Sequence, residues 1–126
     1  MKKKKIYYAH CIAIYGTEQE KEDIATLKAL GFEVVNPSSD YYRNTVNKMI
    51  CKGRTSTEIM NYFITVVAGC DGLAFRALDD ETLSAGVAKE ANAMRKSDRP
   101  VFELSDSSKR KVMSVGQTRK HIGRSR

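Results

Sequence analysis

Ile6-Tyr7-Tyr8-Ala9-His10-Cys11-Ile12 opens the ordered part of the chain. Gly16 follows, then Thr17-Glu18-Gln19-Glu20, and then Leu30-Gly31-Phe32-Glu33-Val34-Val35-Asn36-Pro37. These stretches decide the fold. The first is short, apolar and aromatic, and reads as a buried strand. Thr17 with Glu20 three residues on has the form of a capping box. It predicts a helix to about Leu30, with Ile24, Leu27 and Leu30 as the apolar stripe and Gly31 as the left-handed stop. Phe32 to Asn36 is a second strand, ended by Pro37. Strand, helix, strand in that order favours a parallel pair joined by a right-handed crossover.

The pattern continues outward. Residues 38–53 are polar, with Tyr41, Tyr42 and Arg43 clustered, and read as a long excursion with one short helix at most. Thr55-Ser56-Thr57-Glu58 is a second capping box, opening a helix to about Ala68 whose apolar residues are Ile59, Met60, Phe63, Val66 and Val67. Asp71 to Ala77 is a third strand, and the acidic loop Leu78-Asp79-Asp80-Glu81-Thr82-Leu83 follows it. Ser84-Ala85-Gly86-Val87 opens a helix to about Lys96, Asp98-Arg99-Pro100 ends it, and Val101 to Leu104 is a fourth strand. Strands alternating with helices predict a three-layer α/β domain, flavodoxin-like or Rossmann-like, around a mainly parallel sheet of four to five strands. The expected organisation is a basic tail over 1–5, an α/β domain over 6–106 and a basic extension over 107–126. Ser114-Val115-Gly116-Gln117 could cap a short helix in that extension.

The chain has 126 residues, 41% of them hydrophobic and 29% charged, which suits one globular domain. Its net charge of +7 is unevenly placed. Residues 6–106 hold all 15 acids and only half of the 22 basic residues, so the body is mildly acidic between basic ends. Such ends could attract nucleic acid. No aromatic residue interleaves with the C-terminal basic residues, so a stacking platform is missing there. No apolar run approaches the roughly 18 residues of a membrane span. The four lysines before a short, histidine-bearing apolar stretch make a poor signal peptide. The expectation is a cytoplasmic protein without membrane contact. Cys11, Cys51 and Cys70 show neither CxxC nor zinc-finger spacing, so no metal or other cofactor is expected.

Ligands of parallel α/β sheets bind at the carboxyl ends of the strands, where the strand order reverses. That rule selects residues 10–16, 36–42 and 76–90. They supply His10, Asn36, Arg76, Ser84 and Gly86 as candidate substrate-binding residues, to which the resemblance given below adds Cys11. Ser84-Ala85-Gly86-Val87-Ala88-Lys89-Glu90 carries the sharpest signal: a small turn enters a helix whose free N–H groups suit an anion or phosphate. Glu90 follows about one turn inside. A carboxylate there can attack an anomeric carbon or stabilise an oxocarbenium-like transition state, or it can simply be a solvated helix residue. GxGxxG, Walker A and GxSxG patterns are all missing, which removes support for nicotinamide, ATPase and serine-hydrolase chemistry. His10 either touches a ligand at the strand end or hydrogen-bonds a nearby backbone group.

Taken together, Ile6-Tyr7-Tyr8-Ala9, residues 30–37, Cys70-Asp71-Gly72-Leu73-Ala74-Phe75, residues 84–90 and Arg99-Pro100-Val101 resemble the nucleoside 2-deoxyribosyltransferase-like superfamily. That superfamily includes the 2'-deoxynucleoside 5'-phosphate N-hydrolases. The resemblance implies a flavodoxin-like sheet and a homodimer or higher homo-oligomer. It implies Glu90 as catalytic nucleophile and Tyr7 as the residue positioning that carboxylate. It implies Ser84 and Gly86 at a 5'-phosphate, and places Cys11 where those hydrolases have a serine near phosphate. Where the family carries a sugar-binding aspartate before the third strand, this chain reads Asn61-Tyr62-Phe63. The implied activity is cleavage or transfer of the N-glycosidic bond of a nucleoside or nucleotide. The alternative is a non-catalytic protein of the same fold that binds a nucleotide, a nucleotide-derived signal or nucleic acid.

Overall fold

The computed structural model of the chain describes residues 3–77, 82–104 and 111–112. In chain order the elements are β1 (Lys5–Ala9), a 3-10 turn (Ile12–Ile14), α1 (Glu18–Ala29), β2 (Glu33–Val35), α2 (Asp40–Cys51) and α3 (Ser56–Ala68). They continue with β3 (Gly72–Phe75), β4 (Thr82–Leu83), α4 (Ala85–Lys96), β5 (Val101–Glu103) and β6 (Lys111–Val112). Four strands form one all-parallel sheet in the order β2-β1-β3-β5, and β4 pairs with β6 in a separate parallel ladder. The chain steps from β1 one way to β2 and the other way to β3 and β5. The topological switch point therefore lies between β1 and β3.

Period-2 alternation assigns the two sides of the sheet. Tyr7 and Ala9 of β1 and Leu73 and Phe75 of β3 pack with Val67 of α3 and Val87, Ala91 and Met94 of α4. Ile6, Tyr8 and Ala74 pack with Leu27 of α1 on the opposite side. Helices on both faces of a parallel sheet give the expected three-layer α/β architecture. Both faces of β1 are covered, which is why Tyr7 and Tyr8 are each wholly buried. At Gly72 an added Cβ would sit 3.2 Å from the Pro100 carbonyl oxygen, so glycine is what lets β3 lie against the entry to β5.

Several details differ from expectation. Residues 40–51 form a full helix, α2, in place of a long excursion. It has no fully buried residue; Tyr42, Thr45, Val46 and Met49 are its half-buried side chains, at helical spacing, but polar residues surround them and Ser39 makes no side-chain cap bond to announce the start. Leu30 is largely exposed, because the chain has already left the helix there. Lys5 belongs to β1 rather than to a tail. The last two residues of the expected acidic loop form β4. The rest of that loop, residues 1–2 and the expected helix after Ser114 lie outside the described residues.

Candidate active site

Ser84 caps α4, its Oγ accepting the Val87 N–H at 3.3 Å, as the sequence predicts. The helix then turns Val87, Glu90, Ala91 and Met94 toward the sheet. The i, i+3, i+7 spacing carries the Glu90 carboxyl inward along with the apolar side chains. The Tyr7 hydroxyl meets it, donating to Glu90 Oε2 at 2.5 Å across 83 residues of sequence. Burial pushes the Glu90 carboxyl up from 4.5 to about 7, against the lowering pull of the Tyr7 hydrogen bond. Burial, and after it the Glu90 charge, pushes the Tyr7 hydroxyl far above its usual range, so it stays a donor.

Glu90 lines an inner chamber of about 230 Å³ at the switch point. His10 and Cys11 enter from the end of β1, Ser84 and Gly86 from the start of α4, and Ile59, Met60 and Phe63 from α3. An outer chamber of about 380 Å³ shares Ile12, Tyr15, Ile59 and Phe63 with it and adds Pro37, Arg43, Val46 and Asn47. The two form one cleft, mostly apolar, with polar groups at intervals, as small-molecule sites are. A larger hollow of about 960 Å³ lies beside Lys5, Glu33 and Asp71. It sits at the amino ends of the strands, the end at which parallel sheets do not bind their ligands, so the smaller cleft is the better candidate.

A buried polar cluster forms the wall beside the inner chamber. The His10 ring stacks on Tyr8, centroids 3.9 Å apart and 7° from parallel. Its Nδ1 lies 2.9 Å from the Tyr8 carbonyl oxygen and its Nε2 2.7 Å from Glu20 Oε2, which also accepts the Ser38 hydroxyl at 2.7 Å. Burial pulls the His10 imidazolium below its usual range, opposed by its hydrogen bonds. Burial alone would raise the Glu20 carboxyl, but the hydrogen bonds from Ser38 and His10 outweigh it and hold the group down. Taken together, with Nδ1–H given to the Tyr8 carbonyl, the two pulls would leave the Nε2–Oε2 line without a proton. Two oxygen acceptors around one ring are the firmer guide, and they require that the pair share a proton. With both nitrogens engaged, His10 offers the cleft its ring edge rather than a free base.

The expected site residues thus divide. Glu90, His10, Cys11, Ser84 and Gly86 share the inner chamber, with Tyr7 directly behind Glu90. Arg76 does not line it. Its guanidinium crosses to the other face of the sheet, Nε 2.6 Å from Asp23 Oδ2 and Nη2 2.7 Å from Oδ1. Asn36 accepts the Ser38 N–H at 3.0 Å and so shapes the turn after β2. Tyr15, Arg43, Glu20 and Ser38 are additions to the expected set. Glu20 was discoverable: Glu20, Asp23 and Leu27 share one face of α1 by helical spacing, so both acids sit on the stripe that faces the sheet.

Comparison with protein-family models finds no match, and comparison with characterised proteins finds none either. Among the described residues no cluster of three His, Cys, Asp or Glu side chains could hold a metal ion. Among those residues, too, no helix is long and apolar enough to cross a membrane.

Proposed function

We propose that the protein cleaves or transfers the N-glycosidic bond of a nucleoside or nucleotide, with Glu90 as the nucleophile. One observation carries this reading: a buried carboxyl, gripped by the Tyr7 hydroxyl, ends a cleft at the switch point of a parallel sheet. Ionised Glu90 attacks C1' of the sugar. The heterocycle departs, and water or a second heterocycle resolves the glycosyl ester. The first turn of α4 receives a 5'-phosphate, where the buried Ser84 hydroxyl still has a proton to donate while accepting from Val87. The resemblance to the deoxyribosyltransferase-like superfamily supports the same roles for Glu90, Tyr7, Ser84 and Gly86, and with them a homodimer.

The test is chromatographic. Deoxynucleosides and their 5'-monophosphates are incubated with native protein and with Glu90→Gln, and free base is measured. Release by native protein alone is expected; no release, or equal release by the variant, removes the reading. A second reading, binding without turnover, is favoured by one feature. Glu90 is the only carboxyl among the described residues that line the cleft, so a second acid for the leaving group is missing. Ligand recovered intact after tight binding would support it.

A further inference from the structure

Among the described residues that line the cleft no carboxylic acid is left to protonate a departing base, and its outer chamber supplies what could replace one. Tyr15 lines both chambers, and Arg43 lines the outer one. Tyr15 therefore stands between the Glu90 end and the Arg43 end of one cleft. Among the described residues the Tyr15 hydroxyl and the Arg43 guanidinium have no hydrogen-bond or ion-pair partner. The other described arginines are committed elsewhere: Arg76 pairs with Asp23 on the other face of the sheet, Arg99 donates to the carbonyls of Ala68 and Cys70, Arg54 pairs with Glu58 and Arg95 donates to Asn92. Around them the chamber walls are apolar, from Ile12, Val46 and Ile59. An uncommitted cation and hydroxyl in an apolar slot suit a flat, acceptor-rich group that carries or develops negative charge.

We propose that Arg43 and Tyr15 form the leaving-group end of the cleft, and that its substrate is an N-glycoside whose heterocycle departs as an anion, a keto pyrimidine of the uracil type rather than an amino purine. This rests on the glycosidic reading of Glu90. A Glu90 oxygen forms the bond to C1' as the C1'–N bond breaks, and its electron pair leaves on the ring. The negative charge spreads to the ring oxygens, where Arg43 and Tyr15 donate to it. Solvent then protonates the free heterocycle. Water adding to C1' releases the Glu90 carboxylate and returns one proton, so the balance closes as hydrolysis. An amino purine ordinarily needs a proton on its ring before it leaves, and the described lining offers no acid for that. Arg43 stabilises only charge that develops during departure, so it acts on the transition state more than on binding of the intact substrate.

The experiment uses the full chain and three substrates of falling leaving-group acidity: the 5'-monophosphates of 5-fluoro-2'-deoxyuridine, 2'-deoxyuridine and thymidine, with that of 2'-deoxyadenosine as the purine. Rates should fall in that order, with adenine release at least about tenfold slower than uracil release. Arg43→Gln should slow the pyrimidines about 10²-fold and steepen their dependence on leaving-group acidity. Arg43→Lys should retain part of the rate, and Tyr15→Phe should lose about tenfold. A flat series, faster adenine release, or an Arg43→Gln enzyme as active as the parent overturns the proposal. Arg43 is exposed, so its variants should fold, which circular dichroism checks. A second arm needs no turnover: calorimetry of Glu90→Gln protein with free 5-fluorouracil and free adenine. Tighter binding of 5-fluorouracil that disappears with Arg43→Gln supports the anion-accepting chamber. Equal binding, or binding indifferent to Arg43, overturns it. Absence of base release from every nucleotide would end the glycosidic reading while this second arm still judged the chamber.

Discussion

Tyr7 and Tyr8 are neighbours on one strand, both wholly buried, and each donates its hydroxyl to a buried carboxylate at 2.5 Å. Their surroundings make opposite things of the same bond. Asp23, the partner of Tyr8, also receives two guanidinium N–H groups from Arg76 and the Gln19 amide at 3.0 Å. Its lone pairs are saturated and its charge is matched, so it ties α1 to the end of β3. Among the described residues Glu90, the partner of Tyr7, has that one hydroxyl, no cation beside it and a cleft in front. One carboxylate is fastened and the other is left poised, and only the poised one has oxygen capacity for a substrate.

The largest expected effect comes from removing the poised charge. Glu90→Gln should lower base release by about 10⁴-fold or more, as loss of a nucleophile does, while the protein stays folded by circular dichroism. Breaking the fastened side should act on the fold instead. Asp23→Ala leaves Tyr8 without its acceptor and Arg76 with only the Leu104 carbonyl at 3.3 Å, and should cost about 3–5 kcal/mol in urea denaturation. Should Asp23→Ala abolish activity without loss of stability, the contrast between the two sides would fail.

The contrast also has a pH signature. The folded-state value of Glu90 lies above its unfolded value, so the fold binds this proton more tightly than the unfolded chain does. The group's contribution is therefore complete below about 4.5 and is lost as pH rises to about 7, on the order of 3 kcal/mol in all. Subtracting the stability curve of Glu90→Gln from that of the parent isolates it from His10 and Glu20, which titrate nearby. A difference curve that is flat between pH 4.5 and 7 would contradict the burial argument. Activity should run the other way, rising through about pH 7 as Glu90 ionises. Around Glu90 stand Tyr7 from β1 and His10 and Tyr15 from the segment after it. None of these supplies a free acid, so the rise should level off rather than turn into a bell.

Smaller effects refine the picture. Tyr7→Phe removes the hydrogen bond that lowers Glu90, so the rise in activity should move to higher pH, with a loss of about tenfold at pH 7. Gly86→Ala is the mildest. An added Cβ meets only the Met60 sulfur at 3.7 Å, an ordinary contact, so packing does not demand glycine there. The variant should gain up to about 1 kcal/mol in helix stability. Its KM should nonetheless rise for 5'-monophosphates and not for nucleosides if phosphate approaches that turn.

Much of the fold was legible, because β1, α1, β2, α3 and α4 carry clean periodicity and caps. Residues 40–51 hid α2 although Tyr42, Val46 and Met49 recur at i, i+4 and i+7, because polar residues surround that stripe and no capping box opens it. The site was less legible. Tyr7 and Glu90 meet only because β1 and α4 pack together, and spacing cannot give that; the resemblance supplied it. Arg76 shows the limit of the strand-end rule. The rule locates the end of a strand but ignores which face a residue takes. Ala74 and Arg76 share a side by alternation, and Ala74 packs with α1, so parity assigned Arg76 to Asp23 rather than to the cleft. Tyr15 and Arg43 lie in segments without regular periodicity or on a polar helix, where sequence patterns say little about direction.

The most direct test of Glu90 as nucleophile is to trap its glycosyl ester. A 2'-fluoro-arabino deoxyuridine monophosphate, whose fluorine slows hydrolysis of the ester, is incubated with the protein, and the mass of the intact chain and its peptides is measured. The account predicts a stoichiometric fluoro-sugar phosphate adduct on the peptide bearing Glu90, absent from Glu90→Gln. Consumption of the nucleotide with no adduct, or an adduct on another residue, would contradict it.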